Sequence, residues 1–165
     1  MNEIDDLISQ AKDKKNYRYR EGGTPDCEIL DVEKVLNVQL PMDYKYFLSK
    51  YGYILWFGEY VVGTSDPEDL FAEDVDVIRR TQYYRAFYDE DQRYQSVPEN
   101  GVVVSPYDGG GYYLLYTEGT ENAGKVGLFL TENWGKEVQR FHSFADFVSF
   151  LLNGTPQPEG LAYWK

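Results

Sequence analysis

The stretch from Leu40 to Gly63 constrains the fold most, because its hydrophobic period changes in the middle. Its first half carries a helical stripe at the spacing i, i+3, i+4 and i+7, formed by Tyr44, Phe47, Leu48 and Tyr51. Gly52 is typical of the left-handed residue that ends a helix. Residues 53–57 are aromatic, aliphatic and β-branched, which predicts a buried strand, and a turn at Gly58 leads to a partner strand from Tyr60. The sequence therefore predicts a helix that leads directly into a hairpin.

Helix and strand patterns follow one another along the rest of the chain. Helices are predicted at 3–13, at 24–37 with Thr24 as the capping residue, within the acidic region after Pro67, and from the capping residue Ser143 to 153. Strands are predicted at 102–104, 112–116, 126–130 and 138–141. The glycine-rich segment 108–111 lies between two strands, so it predicts a hairpin turn rather than a phosphate-binding loop.

Length and charge limit the classes of function. A chain of 165 residues with 42% hydrophobic residues can build one domain with a real core. Its 28 acidic and 16 basic residues give a net charge of -12. A field of that sign repels nucleic acid and anionic membranes and attracts basic proteins. Solubility alone is the simpler interpretation of the same charge.

Few residues are available for catalysis or for metal binding. Cys27 is the only cysteine and His142 the only histidine, which excludes an intramolecular disulfide, a multi-cysteine zinc site and a two-histidine metal site within one chain. The sequence contains neither a Walker-type loop nor a dinucleotide fingerprint. We therefore expect no cofactor and no enzymatic activity. The acidic start and the short apolar runs predict a cytoplasmic protein without a membrane span.

Two charged segments allow a functional and a structural interpretation. Five bases and two tyrosines between Lys12 and Arg20 could hold a nucleic-acid backbone or form a solvated helix end, and the acidic molecule favours the second. The segment from Asp66 to Asp91 contains nine acidic residues and three basic residues. That region is either a docking surface for a basic partner or a solvated face, and the sequence leaves both open.

The order of these motifs resembles the SUKH superfamily, the Smi–Knr-type proteins, over residues 24–153. The likeness rests on Leu40-Pro41 with Tyr44 and Tyr51-Gly52, the glycine-rich turn, and the Ser143-Phe144 helix start. It implies a single α+β domain over residues 1–165, with a mixed, mostly antiparallel sheet flanked by helices and an extended tail at 154–165. Many bacterial members of this family are immunity proteins that neutralise a toxin, often a nuclease, and fungal members are regulatory interaction proteins.

The resemblance and the charge together predict an immunity protein that blocks the active site of a basic nuclease toxin with an acidic surface. A regulatory or scaffold interaction domain is the alternative. The predicted contact residues are three aromatic anchors and six surrounding acids, namely Trp56, Phe57, Tyr60, Asp66, Glu68, Asp69, Glu73, Asp74 and Asp76. Trp56 and Phe57 also fit a core position, and we expect at least one of them to lie in the core.

Overall fold

The computed structural model describes residues 3–13, 16–56, 59–69 and 72–153. In these ranges the helices are α1 (Glu3–Ala11), α2 (Asp26–Leu36), α3 (Met42–Tyr51), α4 (Ala72–Val75), α5 (Val77–Asp89) and α6 (Phe144–Asn153). The strands are β1 (Arg18–Tyr19), β2 (Ile54–Trp56), β3 (Glu59–Val61), β4 (Gly101–Tyr107), β5 (Gly111–Tyr116), β6 (Val126–Leu130) and β7 (Lys136–Phe141). The predicted α+β class is confirmed. The predicted tail at 154–165 and the anchor Phe57 lie outside the described residues.

The strands form two antiparallel sheets, with the orders β1-β2-β3 and β4-β5-β6-β7. The sheets meet where the backbone N–H of Val62 donates to the carbonyl of Val104 over 2.8 Å and the Ser105 hydroxyl donates to the Tyr60 carbonyl over 2.7 Å. An isolated parallel bridge outside these strands joins Gly63 to Asp76. The predicted hairpin turn at 108–111 is confirmed, because Tyr107 pairs with Gly111 in the β4–β5 hairpin.

In the larger sheet, strands β4, β5 and β6 are largely buried on both faces, and the edge strand β7 is more exposed. Side chains of Val102, Val104 and Tyr113 belong to a main core that also contains apolar residues of α1, α2, α3 and α6. Their neighbours in the strands, such as Val103 and Tyr112, belong to a second core with Tyr88 of α5. This alternation follows the two-residue period of a strand. No helix among the described residues has the length and the apolar composition needed to cross a membrane.

The predicted helix and hairpin at 40–63 are confirmed. The stripe on α3 is buried, and Gly52 ends the helix with a φ of 66°, but its ψ of -65° is not that of the left-handed residue that the sequence predicted. The Tyr44 hydroxyl donates to the Val62 carbonyl over 2.8 Å, which ties the helix to the hairpin. Gly63 lies so close to α3 that a Cβ atom there would be 1.7 Å from the Gly52 carbonyl oxygen. This packing needs glycine at position 63.

Two local predictions were wrong because the residues concerned contact the loop after β3. Thr24 does not cap α2, because its hydroxyl is hydrogen-bonded to the Thr64 hydroxyl, and α2 begins after Pro25 without a side-chain cap. Arg20 is not part of a solvated helix end, because it is buried with 8% exposure and forms an ion pair with Glu28 over 2.5 Å. Both residues join the region before α2 to the loop after β3. The predicted cap of α6 is confirmed, since Ser143 accepts the Asp146 N–H over 3.0 Å.

Candidate interaction surface

The acidic segment, described at residues 66–69 and 72–76, lies beside Gly63, which follows the end of β3. Its path is fixed by two backbone hydrogen bonds, from Gly63 N–H to the Val75 carbonyl over 2.7 Å and from Val77 N–H to the Gly63 carbonyl over 2.8 Å. These bonds hold α4 and the start of α5 next to β3. The predicted acids and Tyr60 therefore belong to one region of the structure.

The six predicted acids differ in exposure. Four are exposed, namely Asp66, Glu68, Glu73 and Asp74, and two are partly buried, namely Asp69 and Asp76. The partly buried pair has structural roles. Asp76 accepts the Arg79 N–H over 2.8 Å and so caps α5, and Asp69 accepts the Tyr53 hydroxyl. Burial and then this hydrogen bond raise the pKa of Tyr53.

Three of the exposed acids form ion pairs within the protein. Asp66 pairs with Arg20 over 3.1 Å, Glu73 with Arg79 over 2.8 Å and Asp74 with Arg80 over 2.9 Å. The carboxylates of these pairs are 62%, 80% and 63% exposed in the same order. Of these pairs, only Glu73 with Arg79 is exposed on both sides, and such a pair contributes little to stability. A partner's basic side chain can therefore replace Arg79 at little cost, whereas Arg20 and Arg80 are only 8% and 21% exposed.

The two predicted aromatic anchors that the structure describes differ in exposure. Trp56 lies in the main core with 2% exposure. Tyr60 is partly buried, and its hydroxyl accepts from the Arg80 guanidinium over 3.0 Å while that guanidinium lies 5.7 Å from the ring centroid. Phe57 lies outside the described residues. Of the described anchors, Tyr60 is thus the one with a partly exposed side chain.

The chemistry available at this region is electrostatic. Among the described residues, no group of histidine, cysteine, aspartate and glutamate side chains is arranged to hold a metal ion. His142 is exposed in the turn between β7 and α6. Carboxylates that hold arginine side chains internally are suited to hold basic side chains of another protein.

Sequence reasoning missed a second exposed region, which we call the aromatic surface and define as Tyr83, Phe87, Tyr94 and Trp134. Tyr83, Phe87 and Trp134 are 58%, 43% and 48% exposed. A signal existed for the helical pair, because Tyr83 and Phe87 are four residues apart and lie off the stripe that α5 turns to the core. No sequence period brings Trp134 to them, since it lies in a tight turn after β6.

A comparison with protein-family models identifies the family of this chain. The model SUKH_5, described as SMI1-KNR4 cell-wall, matches residues 4–153. The matched range begins in α1 and ends with α6, so it includes the first helix, which the sequence likeness at 24–153 had left out.

Proposed function

Because this chain belongs to the SMI1-KNR4 family of SUKH-type proteins, we propose that it is an immunity protein that binds and neutralises a cognate basic protein toxin. Immunity proteins are frequent in this family. The observation that carries the proposal is the acidic segment: four exposed carboxylates follow the hairpin of a chain whose net charge is -12. A nuclease domain is the toxin class that fits this charge best.

The proposed mechanism is occlusion of the toxin's active site. A nuclease holds phosphate groups with basic side chains, and a row of carboxylates presents the same sign of charge to those side chains. The long-range field of the acidic chain also speeds the encounter, by about 10- to 1000-fold at low salt. Rapid capture is useful if the toxin must be stopped before it cuts.

This mechanism requires neither catalysis nor a cofactor of the immunity protein. We therefore propose a non-enzymatic protein that acts in the cytoplasm, where a nuclease toxin would find its substrate. Tyr60 and the exposed acids are the proposed contacts. Asp69 and Asp76 are proposed to contribute to the field while they keep their hydrogen bonds to Tyr53 and to α5.

The second candidate function is a regulatory interaction domain. It is favoured by the description of the matching family, which refers to the cell wall. Such a domain would bind one or more host proteins and would not protect cells against a toxin.

Co-expression separates the two candidates. The protein encoded by the adjacent open reading frame is expressed alone and together with this chain, and growth and co-purification are measured. Our proposal predicts that the neighbour is toxic alone, and that this chain restores growth and purifies with it as a complex. A neighbour that is harmless, or a toxic neighbour that this chain neither binds nor neutralises, would contradict it.

Charge reversal then tests the acidic segment. Lysine at Glu68, Glu73 and Asp74 should slow association with the toxin and flatten its salt dependence. Asp66 is left unchanged, because a lysine there would face the buried Arg20. Lysine at the exposed acids Asp13, Asp31 and Glu121 makes the same change in net charge elsewhere and serves as the matched control. Equal association rates for the two variants would remove the acidic segment from the interface.

A further inference from the structure

The aromatic surface is a continuous row of ring contacts on the outside of the second core. The Tyr83 and Phe87 rings lie 6.4 Å apart between centroids, Phe87 and Tyr94 6.4 Å apart, and Tyr94 and Trp134 5.5 Å apart. Tyr88 supports the row from below, in T-shaped contact with both Phe87 and Tyr94. The row is therefore held in place while three of its four rings remain exposed.

Acidic side chains border this row. Asp89 and Glu90 are exposed at the end of α5, directly after Phe87 and Tyr88, and Glu132 lines one groove together with Tyr94 and Trp134. Arg93 lies at the same border, and Asp91 pairs with it over 2.6 Å. Arg79 lies one turn before Tyr83 on α5 and is paired with Glu73 over 2.8 Å. The Arg93 hydrogen bonds lower the pKa of Asp91 to about 2, so this pair stays charged at neutral pH. The border has an excess of negative charge.

Trp134 has a strained backbone conformation at the end of the turn after β6. Its φ of 58° and ψ of 36° lie in the left-handed region, where a bulky side chain is strained and glycine is favoured. The side chain nevertheless remains half exposed. Strain of this kind is characteristic of positions kept for a function.

We propose that the aromatic surface binds arginine side chains of a basic protein partner. That the partner is a basic protein rests on the proposed function. The aromatic surface adds to that function the contacts that set the dissociation rate of the complex. The row provides ring faces for planar guanidinium groups, and the acids at its border neutralise their charge. Large aromatic residues also dominate the energy of binding in most protein interfaces.

The protein itself contains examples of the proposed contact. The Arg93 guanidinium lies 5.8 Å from the Trp134 ring centroid and is held by Asp91, so one ring of the surface already combines with an arginine and a carboxylate. Arg140 lies 5.3 Å from the Tyr116 ring and is held by Glu137 in the same way. A partner's arginine would find the same pair of groups at the exposed rings.

The test uses short peptides of alternating glycine with arginine, lysine or glutamate, and isothermal titration of the full chain at low salt. We expect the arginine peptide to bind more tightly than the lysine peptide, and the glutamate peptide not to bind. The variant with Tyr83→Ser, Phe87→Ser and Trp134→Gly should bind the arginine peptide at least about tenfold more weakly. The matched control is Leu30→Ser with Met42→Ser, which removes two other exposed apolar side chains, 62% and 74% exposed, and should bind as the wild type does.

A second readout does not depend on any variant's folding. In a heteronuclear NMR titration of the wild type with the arginine peptide, we expect shifts at residues 83–94 and 131–135. Absence of arginine-peptide binding, equal affinity of the aromatic and control variants, or shifts confined to other regions would overturn the proposal. These results are independent of the co-expression experiment, so the failure of the aromatic surface and the failure of the immunity function can be told apart.

Discussion

Aromatic residues have opposite environments in two regions, the helix-and-hairpin unit at 40–63 (called the unit below) and the aromatic surface. In the unit, Tyr44 is fully buried and its hydroxyl donates to a backbone carbonyl, and the hydroxyl of the largely buried Tyr51 donates to Asp5 over 2.6 Å. In the aromatic surface, the rings of Tyr83, Phe87 and Trp134 are about half exposed. The first region uses tyrosine as a large core residue with an internal hydrogen bond, and the second presents its rings to the solvent.

This difference separates stability from recognition. A buried hydroxyl without a hydrogen-bond partner costs free energy, and each tyrosine hydroxyl in the unit has a partner within the protein. Exposed rings bordered by acids contribute little to folding and are available to a partner. We therefore expect substitutions in the unit to change the free energy of unfolding, and substitutions in the aromatic surface to change binding.

The largest effect is expected at Gly63. Gly63→Ala would place a Cβ atom 1.7 Å from the Gly52 carbonyl oxygen, so the backbone must move, and we expect a loss of about 3 kcal/mol or more in the free energy of unfolding. This free energy of unfolding is measured by urea denaturation. Gly119→Ala is the control, since a Cβ atom there meets open space at a φ of 86° and should cost only about 1–2 kcal/mol. Equal losses would show that the close approach of the two backbones is unimportant.

A smaller effect is expected from removal of single hydroxyl groups. Tyr44→Phe leaves the buried Val62 carbonyl without its 2.8 Å donor, and we expect a loss of about 1–2 kcal/mol in the free energy of unfolding. Tyr83→Phe removes a hydroxyl from the aromatic surface and should change that quantity by less than about 0.5 kcal/mol. If Tyr83→Phe were as costly as Tyr44→Phe, the contrast between the two regions would fail.

The pH dependence of stability should reveal the carboxylate that supports the unit. Hydrogen bonds from Lys50, Tyr51 and Tyr46 lower the pKa of Asp5 well below its ordinary value of 3.8. A lowered pKa in the folded state means that ionised Asp5 stabilises the protein above about pH 4, and that this contribution is lost as the pH falls further. Asp5→Asn should therefore be less stable than wild type at pH 7, and the difference should shrink below pH 4.

Chemical denaturation across that pH range measures the difference in stability. Asp6→Asn is the matched control, because Asp6 is an exposed acid on the same helix. A difference between wild type and Asp5→Asn that stays constant with pH would show that the three hydrogen bonds do not depend on the charge of Asp5.

The smallest effect on stability is expected at Trp134. Trp134→Gly relieves the left-handed strain but loses the ring contact with Tyr94, so the free energy of unfolding should stay within about 1 kcal/mol of wild type. Thermal unfolding measures it. A loss above about 2 kcal/mol would mean that Trp134 is needed for folding, which would contradict its assignment to recognition.

Sequence periodicity predicted those parts of the fold that depend on local pattern. The stripe from Tyr44 to Tyr51, the end of α3 at Gly52 and the cap at Ser143 each need only neighbours a few residues away. Arg20 could not be assigned, because two of its three partners, Thr64 and Asp66, lie more than forty residues further along the chain, and only Glu28 is near it in sequence. Burial of a charge is decided by such distant partners, and single-sequence patterns do not contain them.

The same limit applies to the candidate site. Composition and family pattern predicted an acidic protein-binding region. In the structure four of its acids are exposed, whereas Asp69 and Asp76 are partly buried and form hydrogen bonds within the protein. The sequence predicted Trp56 as a contact residue because it lies in an aromatic run, but its side chain lies in the main core with 2% exposure. The aromatic surface joins α5 to a turn more than forty residues later, and that juxtaposition arises only from the packing of α5 on the larger sheet.

The most direct test of the account is a kinetic comparison on the complex with the toxin encoded by the adjacent gene. Association and dissociation rates are measured for wild type, for the charge-reversed variant of Glu68, Glu73 and Asp74, and for the variant of Tyr83, Phe87 and Trp134. We predict that charge reversal slows association about tenfold or more at low salt, and that loss of the aromatic rings speeds dissociation about tenfold or more. Rates equal to wild type in both variants would contradict the account.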